Sequence, residues 1–398
     1  MIPWSGTHPA SRRFARLLAL FLLSLCLASS ATAESMPAAT ASPEPGEGIP
    51  AWRPRFGRAR PVVAIVGENA GTELSDFVIP YGVLVRSGGA EVVTVATQPG
   101  VLRMRPALRV QPDATVADFD ARFPEGADYV IVPAVVKFKD PALLAWVKAQ
   151  AGKGATVMSI CDGAAVVAGT GLMDGRRATA HWASERNRRR WFPQVDWIAD
   201  VRYVADGRII STAGISAALP ASLALVEAIA GRRRALELAH ELGVSDWSAA
   251  HATAPFRPRL GTNLRAHAAV TYTNRWFHAT EMIALNVDDG VDEIALAITA
   301  DAYSRTGRSM LHAMSASLEP VLTRSRLRIV PEVRGAGHGL DRELPALDET
   351  PSAGWFTKSI EGIGQWYGRT TAFGVALNFE YPMLPSHSTG TKNKGESR

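Results

Sequence analysis

From Pro61 onward the apolar positions follow two alternating rhythms. PVVAIVG (61–67) is an unbroken apolar run, the pattern of a strand covered on both faces. TELSDFVIPYGVLVRSG (72–88) has helical spacing and stops at Gly88. AEVVTVAT (90–97) reads as a strand, residues 101–110 as a β-hairpin, VADFDARF (116–123) as a short helix and DYVIVPA (128–134) as a strand. PALLAWVKAQAGKG (141–154) has Pro near its start and Gly after its end, as a helix should. TVMSI (156–160) predicts a strand, CDGAAVVAGTGL (161–172) a helix, RYVADGRIISTA (202–213) a hairpin about Asp206-Gly207, and LPASLALVEAIAGR (219–232) a closing helix. Strands alternating with helices mean an α/β domain with a mostly parallel sheet, over residues 59–232.

The chain also matches itself. VAIVGENAGTELSDFVIPYGVLVRSG from Val63 faces MIALNVDDGVDEIALAITADAYSRTG from Met282, and Gly88 falls on Gly307. In the same register LRVQPD (108–113) meets LRIVPE (327–332) without a gap. A second, partial α/β unit is expected over 263–385, after a linker at 233–262, with residues 281–332 arranged like 62–113. GWFTKSIEGIGQWYGRTTAFGVALNFEY (354–381) would add a helix and a final strand.

The first 33 residues read differently. Arg12, Arg13 and Arg16 precede an apolar run from Leu17 to Ala28 and then Ala31-Thr32-Ala33, the form of a secretory signal cut after Ala33. The run is short for a membrane span, although an uncleaved anchor is the alternative. The Arg12-Arg13 pair leaves the general and the twin-arginine export routes both open. A periplasmic or secreted protein is expected, with no membrane attachment after cleavage. Cleavage takes three arginines and no acid, so a net charge of +5 becomes +2 and basicity no longer suggests nucleic acid. Cleavage also removes Cys26, which leaves Cys161 as the one thiol and no internal disulfide. Residues 34–58, rich in Pro, Ala, Ser and Glu, and 386–398 read as a disordered leader and tail.

The candidate chemistry centres on TVMSICDGAAVVAG (156–169). A cysteine where a strand turns into a helix is projected from the backbone, and the helix amides face its sulfur. Those amides and the dipole favour a thiolate, while Asp162 beside it opposes them. The bland reading is a small buried residue.

VMSICDGAAVVAGTGLMDGRRATAHW with DGRIISTAGISAALPASLALVEAIAG resembles the DJ-1/PfpI superfamily, within the class I glutamine amidotransferase-like fold. The branch it is most similar to includes isonitrile hydratase and the sensory domains of AraC-type regulators. The resemblance spans residues 61–232 and implies a flavodoxin-like three-layer sandwich. It makes Cys161 the nucleophile and Asp76, four residues before Pro80, its acid partner, with Glu73 the competing carboxylate. His181 falls near the cysteine, to orient substrate or assist proton transfer, although a structural histidine fits equally well. The backbone amides of Asp162, Gly163 and Ala134 are the expected oxyanion donors. Two departures stand out. Asp162 replaces the histidine that follows the cysteine in many relatives, so a Cys-His dyad of that kind is absent, and Ala134-Val135 replace a Gly-Gly pair. Relatives usually bury their first helix in a homodimer, and the repeat, with Ala295 in place of Asp76, suggests a non-catalytic unit forming an internal pseudo-dimer.

The remaining features are quiet. ERNRRRW (185–191) lacks the aromatic interleaving of a nucleic-acid surface, and no DNA-binding module follows the domain. His240, His251 and His267 are too dispersed for a metal site, and no P-loop or dinucleotide fingerprint occurs, so no metal or cofactor is expected. The expected function is a cysteine-dependent hydratase or hydrolase/lyase acting on a small electrophilic molecule. The alternative is a non-catalytic binding or sensor protein that kept the pocket.

Overall fold

A computed structural model describes residues 48–335 and 339–382. The expected signal, the leader up to Glu47 and the tail from 386 lie outside those residues.

The first half forms β1 (Val62–Gly67), α1 (Leu74–Ser87), β2 (Glu91–Ala96), β3 (Leu102–Arg105), β4 (Arg109–Gln111), β5 (Ala114–Thr115), α2 (Val116–Arg122), β6 (Tyr129–Val132), α3 (Pro141–Gly152), β7 (Thr156–Ser159), α4 (Gly163–Gly169), β8 (Tyr203–Asp206), β9 (Ile209–Thr212), α5 (Ala218–Ala230) and α6 (Arg232–Leu242). The central sheet runs β8-β9-β7-β6-β1-β2-β5 and is parallel except at the β8–β9 hairpin. β1 shows why its sequence is apolar throughout. Val63 and Ile65 pack into the core on one face of the sheet, Val62, Ala64 and Val66 into the core on the other. The result is the expected α/β sandwich, with helices on both faces.

The second half forms β10 (Glu281–Asn286), α7 (Glu293–Ser304), β11 (Ser309–Ser315), β12 (Val321–Leu322), β13 (Arg328–Ile329), β14 (Val333–Arg334), β15 (Arg342–Glu343), α8 (Gly354–Tyr367) and α9 (Arg369–Phe379). Its parallel sheet, β14-β11-β10-β15, has the order of β5-β2-β1-β6. It is a partial α/β unit that stops where the first half goes on to its elbow.

The halves meet through equivalent parts. α1 packs against α7. β4 pairs antiparallel with β13, placing Val110 opposite Ile329, its own counterpart in the repeat. At Gly82 the helices come so close that an added Cβ would lie 2.7 Å from Glu293 Oε1 and from Ile294 Cγ1. Helix α1 is therefore apolar on two faces because helices as well as the sheet cover it, chiefly α5 and α7.

Three expectations are corrected. Residues 354–381 give two helices and no strand, because the apolar positions on α8 and α9 are spaced for helix–helix packing against each other and α7. The expected linker opens with the helix α6, whose Ala235, Leu238, Ala239 and Leu242 are buried. The leader is ordered from Gly48: the Trp52 amide donates to the Ala228 carbonyl, and Arg58 pairs with the buried Asp128 at 2.8 Å. Composition points to disorder there, but a few aromatic and arginine anchors suffice to pin a short strap.

Candidate functional site at the Cys161 elbow

Cys161 follows β7 and precedes α4, and its φ is 54°, in the left-handed region. A non-glycine residue held there is strained, and the surroundings hold it. Its amide donates to Thr212 Oγ1 at 3.2 Å, tying the elbow to the end of β9. The elbow also needs Gly163, where a Cβ would collide with the Val132 carbonyl oxygen. Cys161 is nearly covered, at 7% exposure.

Asp76 is fully buried in α1. Its Oδ2 accepts from the Ala134 amide at 3.1 Å, and its Oδ1 has no hydrogen-bond partner among the described residues. Glu73, at the N-cap of α1, donates its amide to the Ala134 carbonyl at 2.8 Å. Ala134 thus clamps the segment that carries both acids. The Glu73 carboxylate is met by the Arg305 guanidinium from the second half. Arg305 Nε also donates to Asp301 Oδ1 at 2.5 Å, and Ser75 Oγ to Asp301 Oδ2 at 2.6 Å. Three acids and one cation share this interior.

Burial governs the ionisation around the thiol. It pushes Asp76 well above the usual carboxylate range, the charge of Glu73 adds to the rise, and the Ala134 amide opposes it. It pushes Glu73 up to about 8 against the pull of Arg305. It raises the Cys161 thiol well above its ordinary value, with Asp76, Asp162 and Glu73 adding and the Asp162 amide opposing. The thiolate expected from the helix dipole is therefore not favoured. The helix behind the elbow is only seven residues long, and carboxyls surround the sulfur.

Other expected roles are also corrected. The Gly163 amide donates to the Ile160 carbonyl at 2.9 Å, and the Ala134 amide is taken by Asp76, so neither is free for an oxyanion. The Asp162 amide is the one of the three that acts on the sulfur. His181 is turned to the second half. Its Nδ1 accepts from the Ala183 amide at 3.3 Å, which leaves Nε2 to donate to the Asn378 carbonyl at 3.1 Å. Glu380 lies beyond, 3.8 Å from Nε2. His181 serves as a joint between the halves. Thr212, Asp301 and Arg305 escaped the sequence reading. Thr212 lies in the STAG stretch and was legible as a strand end. Asp301 and Arg305 had only the internal repeat as a signal, because they act from the other half.

Beside the elbow is a cavity of about 340 Å³ lined by Phe138, Asp162, Ser184, Arg188 and Trp191, among others. Phe138 and Trp191 stack at 5.3 Å. Asp162 Oδ1 accepts from Ser184 Oγ at 2.6 Å, so the carboxylate is held to one side of the cysteine. Among the described residues no group of His, Cys, Asp and Glu is arranged to hold a metal ion.

The DJ-1/PfpI family model matches residues 62–228, which covers the elbow, both acids and the sheet between them. Those residues are a DJ-1/PfpI domain. A curated relative, the isonitrile hydratase of Pseudomonas putida, is 29% identical over 112 residues, 27% of this chain and 47% of that protein. The chain thus spans about half the length of the curated relative it matches. Among solved structures, Drosophila melanogaster DJ-1beta matches 47% of this chain and 100% of its own, at 20% identity and a TM-score of 0.42. An AraC family transcriptional regulator from Pseudomonas putida matches 46% and 98%, at 17% identity and 0.40. A THiJ/PfpI family protein from Pseudomonas syringae matches 54% and 82%, at 21% identity and 0.41. Within the DJ-1/PfpI domain, Cys161 has a strained backbone, and Asp76 beside it is fully buried.

Proposed function

We propose that the DJ-1/PfpI domain hydrates a small electrophilic molecule through Cys161, with isonitriles as the substrate class. The supporting observation is a strained cysteine beside a buried carboxyl, each biased to hold its proton. Acyl transfer through a standing thiolate needs a free oxyanion hole, and two of its three expected donors are engaged. Addition to an isonitrile carbon needs a nucleophile and a proton at the same atom, which suits a protonated thiol beside an acid. Sulfur bonds to the terminal carbon, which takes a proton from Asp76, and the thiol proton restores Asp76. The product is a thioimidate, R–N=CH–S–Cys161. Water then adds to its carbon, the nitrogen is protonated and the C–S bond breaks, giving R–NH–CHO and the free thiol. The name of the Pseudomonas putida relative supports this class. The flat walls of Phe138 and Trp191 would receive the apolar group R.

The test is incubation with tert-butyl isonitrile, reading N-tert-butylformamide by mass spectrometry. Turnover that disappears in Cys161→Ser supports the reading, and equal product with and without the thiol rejects it. A second reading, a binding module without turnover, is favoured by the near-complete burial of Cys161 and the occupied amides. It predicts a shift in melting temperature with isonitrile and no formamide. The reading also includes export. Intact mass of protein recovered from the periplasm of an expressing bacterium should correspond to a chain beginning at Glu34.

A further inference from the structure

The charged contacts between the halves obey the repeat. Arg86, on α1, reaches Asp292 and Glu293 of the second half, each at 2.7 Å. The register that sets Val63 on Met282 also sets Arg86 on Arg305 and Glu73 on Asp292, and the pair of Arg305 with Glu73 is also formed. The two ion pairs are one contact repeated about the approximate twofold between α1 and α7.

What lies beside them is not repeated. The acids around Arg86 are completed by the hydroxyls of Ser325 and Ser352, with no thiol in that half. Glu73, held by Arg305, is one helical turn from Asp76, and both act on Cys161. The position matching Asp76 is Ala295. One of two equivalent arginines thus faces a catalytic set and the other does not.

We infer that Arg305 is a positioning residue for the Cys161 site: the second half lends it a cation that draws negative charge onto Glu73 and leaves the proton on Asp76. The geometry separates the two carboxyls. Glu73 touches the guanidinium, whereas Asp76 has one backbone amide on Oδ2 and, among the described residues, no partner on Oδ1. Asp301 braces the guanidinium from its own helix and is itself fixed by Ser75 from the first half. The other charged or titratable groups around this pair are Cys161 and Asp162 at the elbow and Arg105, paired through its backbone with Glu73 and exposed at its side chain. Burial raises both carboxyls, and Arg305 is the cation that pulls Glu73 back down, more strongly than it acts on Asp76.

This inference rests on the proposed use of Cys161 for its purpose, but its first readout does not involve the thiol. Carboxyl-carbon NMR of the full chain follows Glu73 and Asp76 through pH 5 to 10, and iodoacetamide labelling follows Cys161 over the same range. Arg305→Met should raise the Glu73 midpoint by about one unit and move the labelling midpoint upward, because a nearby cation is lost. Arg305→Lys should restore most of both. Arg86→Met removes the matched ion pair from the same interface and should move neither. Equal shifts in Arg305→Met and Arg86→Met, or none in either, overturn the inference. Should Arg305→Met not fold, Glu73→Gln carries the test: it must abolish the carboxyl step near pH 8, and a surviving step overturns the assignment. Carboxyl shifts confined to Arg305→Met, with Cys161 inert to labelling, would support the role of Arg305 towards the acids and reject the proposed hydratase.

Discussion

Residues 62–115 and 281–334 share a helix and five strands in the same order, yet only the first carries Asp76, whose matching position is Ala295, and only the first half goes on to a thiol, Cys161. β1 and β10 coincide end to end in the register of the repeat, as do β5 and β14. α1 stops at the left-handed Gly88, φ 66°, whereas α7 ends at Ser304 with Arg305 as its cap, and the matching left-handed Gly307, φ 68°, lies in the turn that follows. Beyond this shared frame the halves part. The first continues through α2 and β6 to β7 and the elbow. The second places β15 in the position of β6 and then leaves the sheet for α8 and α9. Packing demands preserved the helix, the glycine turn and the hairpin, while nothing about packing preserved the acid at position 295. The comparison separates residues that hold the fold together from those to which a chemical role is proposed.

The largest expected effect breaks the comparison at its chemical end. In the folded chain without residues 1–33, one thiol label should enter at Cys161, and Cys161→Ser should reduce it to zero, read by intact mass. A label that enters only after denaturation would reject a reagent-accessible Cys161. Next comes the elbow itself. Gly163→Ala forces a Cβ against the Val132 carbonyl, and a loss of about 3 kcal/mol or more is expected in urea unfolding. A change within about 0.5 kcal/mol, the range of an ordinary surface substitution, would show that the elbow relaxes freely. Smaller again is the seam between the halves. Gly82→Val should wedge α1 from α7 and cost about 1–3 kcal/mol, with unfolding traces broadening as the halves lose cooperativity. An unchanged, sharp transition would mean that the close approach does not couple them.

Smallest per unit of pH is a slope. The Glu73 carboxyl is raised by burial from 4.5 to about 8 in the folded chain. Between those values the folded state binds more protons than the unfolded one, so this group makes stability fall as pH rises. The limit is about 1.4 kcal/mol per pH unit for one proton. Glu73→Gln should flatten the stability profile between pH 4.5 and 8, measured by urea midpoints. A profile as steep as that of the unaltered protein would assign the slope to another group.

Much of the frame was legible in the chain because its signals are local. The doubly apolar run of β1, the Gly88 stop and the Asp206-Gly207 hairpin each fix a short stretch through its own residues. The elbow was legible because strand, cysteine and glycine are contiguous. The acids were legible as a pair, but their ionisation was not, since it depends on Arg305 and Asp301 in the far half of the chain. His181 was placed near the thiol by sequence position, whereas both its nitrogens are engaged, Nε2 by the carbonyl of Asn378 in the second half. The ordering of residues 48–58 was hidden for the same reason: the partners of Trp52 and Arg58 are distant in sequence.

The pairing of β4 with β13 and of α1 with α7 lies within one chain. Two separate subunits joined by such a surface come apart on dilution, and a subunit whose fold relies on the contact is lost with it. Here the two surfaces are covalently tethered, so their local concentration is set by the chain and not by the solution. The Cys161 site, with Arg305 beside it, should therefore persist in a dilute medium. Its midpoint of thermal unfolding should not depend on protein concentration.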